Sequence, residues 1–222
     1  LLSQAALAPP ENPILARLRA RAVAEIAAKQ GPDGTCGGET GWTNNEDDAR
    51  VFFPLLDYLR TGNDYCFDYG KETAKHYMEV DFCDFSTSAR QNGGLIPHCY
   101  NHFEGMVYPS HLWVEGVLAY YYLTGDEHAA YVVKRVADHY CWRTQHMMHG
   151  IACDGREAGM PLVNLAAAYR LTGDKKYIKA AHLIIDAFHR KHFEEHGELR
   201  YPYPQGGDQP GGSFQKTIRG YG

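Results

Sequence analysis

No run of apolar residues in this sequence is long enough to cross a membrane. The longest, Val114 to Leu123, is half of the ~20 residues a span requires. There is no cluster of Lys or Arg, and the net charge is −5, which excludes a general nucleic-acid binder. The six cysteines (Cys36, Cys66, Cys83, Cys99, Cys141, Cys153) form no CxxC and no paired zinc spacing. Buried free thiols are expected, with one disulfide among Cys36, Cys83 and Cys99 as the alternative for an exported chain. A basic stretch followed by an apolar one is missing after Leu1-Leu2-Ser3-Gln4, so any signal peptide lies outside these residues. The rest of a larger polypeptide is expected around them. A secreted or periplasmic location is expected, with the cytoplasm as the alternative.

What is present points to sugar. Sixteen Tyr and twelve His stand among 222 residues, and aromatic rings with polar edges cover the C–H faces of a sugar while bonding its hydroxyls. The same Tyr can also serve only to pack helices. The length fits one domain over 1–222.

The apolar period is helical throughout. Pro13 to Lys29 carries Ile14, Leu15, Leu18, Ala22 and Ile26 on one face. A glycine-rich stretch follows, and then a unit occurs three times. Helix, Thr-Gly-Asn or Thr-Gly-Asp, helix is read at about 45–80, 110–142 and 156–192, with hinges at Thr61-Gly62-Asn63, Thr124-Gly125-Asp126 and Thr172-Gly173-Asp174. Gly takes the left-handed position that closes one helix, and Asn or Asp caps the next. The first helix of each unit is apolar all round and the second has a charged side, a pattern of two concentric rings. Pro54 predicts a kink or a late start in the first of them. The fold class is therefore all-α, an (α/α) toroid of helical hairpins. Three such hairpins are read. The long segment 81–109 between the first two is read as a functional loop.

Three segments precede the first helices and are expected to converge at one mouth. The first is Trp42 with Asn44, Asn45, Glu46, Asp47 and Asp48, more polar residues than a helix cap needs. The second holds His98, Tyr100, His102, Tyr108, His111, Trp113 and Glu115. His111 and Glu115 are four apart and share a face if helical, so that Glu115 can fix the imidazole tautomer. Two metal ligands are the weaker reading of that pair, because no third ligand is fixed by spacing. The third is Arg156 and Glu157, where the guanidinium suits a carboxylate and the alternative is a surface ion pair. No cofactor is expected, and calcium is fixed by no spacing. The expected partner is an oligo- or polysaccharide.

Asn44-Asn45-Glu46, His76 to Asp81, Gly93 to His98 and above all Pro109 to Gly116 running into Tyr120 to Asp126 resemble the helical domain of exo-rhamnogalacturonan lyases and related six-hairpin polysaccharide-degrading enzymes. The chain departs from that pattern at Asp47, where the family has an aromatic. The resemblance implies a toroid of up to six hairpins, of which the three read here make an incomplete (α/α)6 barrel, and cleavage of a uronic-acid-containing glycan. For β-elimination, His111 or His98 would act as base, with His102 a further catalytic candidate of the same loop, Tyr108 or Tyr100 as acid, and Arg156 would neutralise the enolate. The alternative is hydrolysis by two carboxylates, Glu46 or Asp47 with Glu115 or Glu157, ~5 to ~9 Å apart. A non-catalytic helical-repeat module that binds sugars or proteins is the reading from another class.

Overall fold

The computed structural model describes residues 44–95, 107–152 and 155–197, with Arg17, Ala20 and Ala24 as helical, exposed positions ahead of them. Eight α-helices are described from Asn44 onward: α1 (Asn44–Thr61), α2 (Asp64–His76), α3 (Glu115–Thr124), α4 (Glu127–His146), α5 (Met148–Ile151), α6 (Gly155–Thr172), α7 (Lys175–Ile184) and α8 (Lys191–His196). α2 runs on as a π-helical turn, Tyr77–Asp81, and α7 as another, Ile185–Arg190. Two short strands, β1 (Phe82–Cys83) and β2 (Gly94–Leu95), pair antiparallel with Phe82 opposite Leu95. The fold is all-α, as the sequence predicts.

The three hairpins α1–α2, α3–α4 and α6–α7 share one hinge chemistry. Gly62, Gly125 and Gly173 have φ of 71°, 72° and 69°. Their N–H groups bond Tyr58, Tyr121 and Tyr169 carbonyls at 2.7, 2.8 and 2.8 Å. The preceding threonine hydroxyl donates back to the carbonyl four residues earlier and accepts from the N–H two residues on. Asn63, Asp126 and Asp174 then cap the following helix through Tyr65, His128 and Lys176 N–H. A Cβ at Gly125 meets nothing within 4 Å, so only its conformation resists substitution. Gly125→Ala is expected to cost about 1 kcal/mol, the penalty of a left-handed non-glycine residue, measured by urea unfolding.

The repeat extends inward. Fifteen positions after each hinge glycine stand Tyr77, Tyr140 and Phe188, all fully buried. α1 packs on α2 and α3, while α4 packs on α3, α6 and α7, and one apolar core runs through them all. Two expectations are corrected here. Pro54 neither delays nor ends α1, which is continuous around it from Asn44. The second helices are not simply the outer, wet ring, since α4 buries Val132, Val133, Val136, Tyr140 and Arg143 because it is clasped from three sides. Cys66, Cys83 and Cys141 are free thiols, which removes Cys83 from the disulfide alternative. Its Sγ instead faces the Phe85 carbonyl at 3.6 Å. Cys36, Cys99 and Cys153 lie outside the described residues.

Candidate active site

The segment ahead of α3 is not helical, although its sequence reads as the start of that helix. Pro109–His111 form one 3-10 turn, Leu112 to Val114 run extended or irregular, and α3 begins only at Glu115. The reason is that its backbone groups bond to other helices. The Tyr140 hydroxyl donates at the Pro109 carbonyl (2.6 Å) and the Leu112 carbonyl (3.1 Å). Asn164 of α6 donates from Nδ2 to the Leu112 carbonyl and accepts the Val114 N–H at 3.1 Å. The Tyr77 hydroxyl donates to the Trp113 carbonyl. Leu112 and Val114 are fully buried, which adds an apolar reason to hold the strap flat.

Each end of this strap is tied to the start of a first helix. At one end the Glu157 carboxylate, in the first turn of α6, accepts the Ser110 N–H at 2.9 Å and the Ser110 hydroxyl at 2.5 Å. At the other, buried Asp48 of α1 accepts the Gly116 N–H at 3.0 Å and the Val117 N–H at 3.2 Å. Burial pushes the Asp48 carboxyl up to about 7, although those two N–H groups pull it down; the Glu115 charge adds a smaller upward push. Six residues separate Ser110 from Gly116, so the starts of α1 and α6 lie within ~20 Å of one another along the strap.

His111 is buried, 7% exposed, and its ring lies 5.3 Å from that of half-buried Tyr108 at 41°. Trp113 is half-buried, and its indole N–H donates to the Ser110 carbonyl at 2.8 Å. Arg156 is half-buried beside Glu157, and among the described residues its guanidinium has no hydrogen-bond or ion-pair partner. Tyr108, His111 and Glu157 thus come together where the 3-10 turn meets α6, and Arg156 precedes Glu157 in the first turn of that helix.

Glu115 does not join them. His111 lies in the turn and Glu115 opens the helix, so the two share no helical face, and neither the tautomer role nor the metal pair stands. Glu115 is exposed and pairs with Arg170 of α6 at 3.8 Å. Glu157 is no surface partner of Arg156 either, because Ser110 takes its carboxylate. Asn44, Asn45, Glu46 and Asp47 form the first turn of α1, but their side chains lie outside the described residues, as do Trp42, His98, Tyr100 and His102. No three His, Cys, Asp or Glu side chains gather to hold a metal ion among the described residues.

Sequence reasoning marks Asp48 only as one of the polar residues ahead of the first helix, and it misses Tyr77, Tyr140 and Asn164, which shape the strap with it. Aligning the repeats on the hinge glycine would have flagged Tyr77 and Tyr140. It also missed His139, which sits 3% exposed under the flank of segment 81–109. Its Nδ1 faces the Asn92 carbonyl at 2.8 Å, and Arg143 Nε donates to its Nε2 at 2.7 Å. Arg can only donate, so Nδ1 carries the hydrogen. Burial, with Arg143 beside it, pushes the imidazole down to about 3 and keeps it neutral. Arg143 Nη2 reaches the Val107 carbonyl at 2.6 Å, so α4 holds both flanks, Asn92 and Val107.

The model of the β-L-arabinofuranosidase GH127 catalytic domain matches residues 2–198. The chain belongs to this family. No curated protein and no solved structure matches it. GH127 is a family of glycoside hydrolases, so the expectation of a rhamnogalacturonan lyase is corrected in favour of the six-hairpin glycoside hydrolase weighed as its alternative. The physical reason lies in the block from Pro109 to Asp126 that carries the resemblance. In this GH127 domain most of its identifiable side-chain and backbone roles are strap, helix start and hinge. Such a block reports the fold and leaves the chemistry open.

Proposed function

We propose that this protein hydrolyses an L-arabinofuranosyl linkage in an arabinose-containing glycan. The observation that carries the reading is the match of the arabinofuranosidase catalytic domain over residues 2–198. The gathering at the strap supports it with suitable groups. Arg156 offers free donors to sugar hydroxyls, half-buried Tyr108 offers a ring backed by His111, and Glu157 is the carboxylate at that point. Of the two carboxylates weighed on α3 and α6, Glu157 is therefore the one assigned to the reaction, opposite Glu46 or Asp47 at the start of α1. Hydrolysis through such a pair needs one carboxyl protonated and one ionised at separations of ~5 to ~9.5 Å. The strap's reach is compatible with that pair. The polymeric substrate and an exported location belong to the same proposal.

The test uses a p-nitrophenyl L-arabinofuranoside. Wild type is expected to release nitrophenol and free arabinose, with no unsaturated product. Glu157→Gln is expected to lower kcat by about 100-fold or more, the usual scale for a lost acid–base group, with the melting temperature held by Ser110 bonding to the amide oxygen. Glu115→Gln is expected to stay near wild type. Absence of hydrolysis on furanosides of either anomer, or full activity in Glu157→Gln, would overturn the assignment.

A further inference from the structure

The outer side of α4 carries a second cluster of sugar-binding residue types, about two and a half turns of the helix away from the strap. Tyr131 and Tyr140 are nine residues apart, which puts them about 14 Å apart along α4 and on opposite faces. The Tyr131 hydroxyl donates to Asp84 Oδ1 at 2.5 Å, and Arg135 grips the same residue through Nε at 3.3 Å and through Nη2 to its carbonyl at 2.8 Å. The Tyr131 ring is offset beside that of His128, 6.3 Å away and nearly parallel, and the edge of Phe82 abuts it at 6.5 Å. Next in the chain stands Phe85, 82% exposed, the most exposed of the large apolar side chains described.

The loop that presents Asp84 and Phe85 is held far more firmly than an idle surface loop requires. Gly93 bonds the Cys83 carbonyl at 2.8 Å and passes so close to α4 that a Cβ there would lie 2.6 Å from the Arg135 carbonyl oxygen. Asn92 is fixed from outside by His139 and accepts the Ser86 N–H from within the loop. The loop backbone, the Tyr131 ring and the charged pair are thus ordered before any ligand arrives, which removes part of the entropic cost of binding. Once the internal bonds are counted, one acceptor (Asp84 Oδ2) and one donor group (Arg135 Nη1) of this pair are left over. Sugar hydroxyls take such donors and acceptors, and the bare Phe85 ring offers a face for the C–H side of a sugar.

We propose that Phe85, Tyr131 and His128, with Asp84 and Arg135, form a glycan-holding site on the outside of the domain, separate from the catalytic strap. It retains a polysaccharide chain while the active site works elsewhere on it. The identity of that glycan as an arabinan rests on the proposed hydrolase reading; the site itself rests on the cluster.

The test is affinity electrophoresis in gels containing soluble arabinan, run beside hydrolysis of the p-nitrophenyl arabinofuranoside. Phe85→Ala removes an exposed ring and no core contact, so its melting temperature is expected to match wild type. Its retention by arabinan is expected to weaken about threefold to tenfold, the scale of one aromatic face, while small-substrate turnover is unchanged. Phe85→Trp is expected to restore retention. Equal retention of wild type and Phe85→Ala, or no retention of wild type, overturns the holding site. Loss of hydrolysis in wild type overturns the functional reading instead and leaves the electrophoretic comparison to decide the site.

Discussion

Gly116→Ala is expected to destabilise the protein by about 3 kcal/mol or more, among the largest effects available to a single methyl group. A Cβ at that position would lie 2.4 Å from the Asp48 carbonyl oxygen, 2.8 Å from its Oδ1 and 2.9 Å from the Phe52 backbone nitrogen. Two of these three are main-chain atoms of α1, which cannot swing aside as a side chain does. Relief requires α1 and α3 to separate, and that separation breaks the bonds from Gly116 and Val117 to Asp48 and opens the core between Val51, Leu55 and Val117. Chemical denaturation of wild type and variant at neutral pH measures the difference. A loss under 1 kcal/mol would show that the two helices have slack that the geometry does not reveal.

The second large effect concerns pH. Asp48 is held at about 7 in the folded protein against 3.8 for the free side chain. A carboxyl whose folded value is raised favours the fold while protonated, and that contribution fades as pH rises through the folded value. Its window is therefore about pH 4 to 7, and between pH 5 and 8 this one group should remove about 3 kcal/mol of stability. Asp48→Asn keeps an oxygen for the Gly116 and Val117 N–H groups and does not ionise. It is expected to match or exceed wild type at pH 8 and to lose most of this pH slope. Denaturation midpoints at pH 5 and 8 for both proteins supply the comparison, and the difference between the two slopes cancels the other titrating residues. An unchanged slope in the variant would mean that water or Arg50 already solvates the carboxylate.

The candidate site was legible in part. Their place before a first helix marks Arg156 and Glu157, and crowding with other polar aromatics marks His111 and Tyr108; of these, Tyr108 and His111 are in ring contact and Glu157 is tied to Ser110 between them. Glu115 was placed wrongly because spacing was read as helical where the backbone is not. The pull of Tyr140, Asn164 and Tyr77 on the strap comes from residues 28 to 52 positions away in the chain. No local period can register such bonds. Glu157 likewise looked like a surface partner of Arg156, and only Ser110, 47 positions distant, gives its carboxylate another task.

By itself the sequence determined the hairpins. Thr-Gly-Asn and Thr-Gly-Asp close one helix and cap the next with bonds spanning two to four residues, so the information is local and can be read directly. The apolar period fixed which faces turn inward for the same reason. Tertiary structure alone decided where α3 starts, which carboxylate is buried and which ring is left bare. Those outcomes depend on which distant group wins a given N–H or carbonyl, and on how close two backbones come at Gly116 and Gly93.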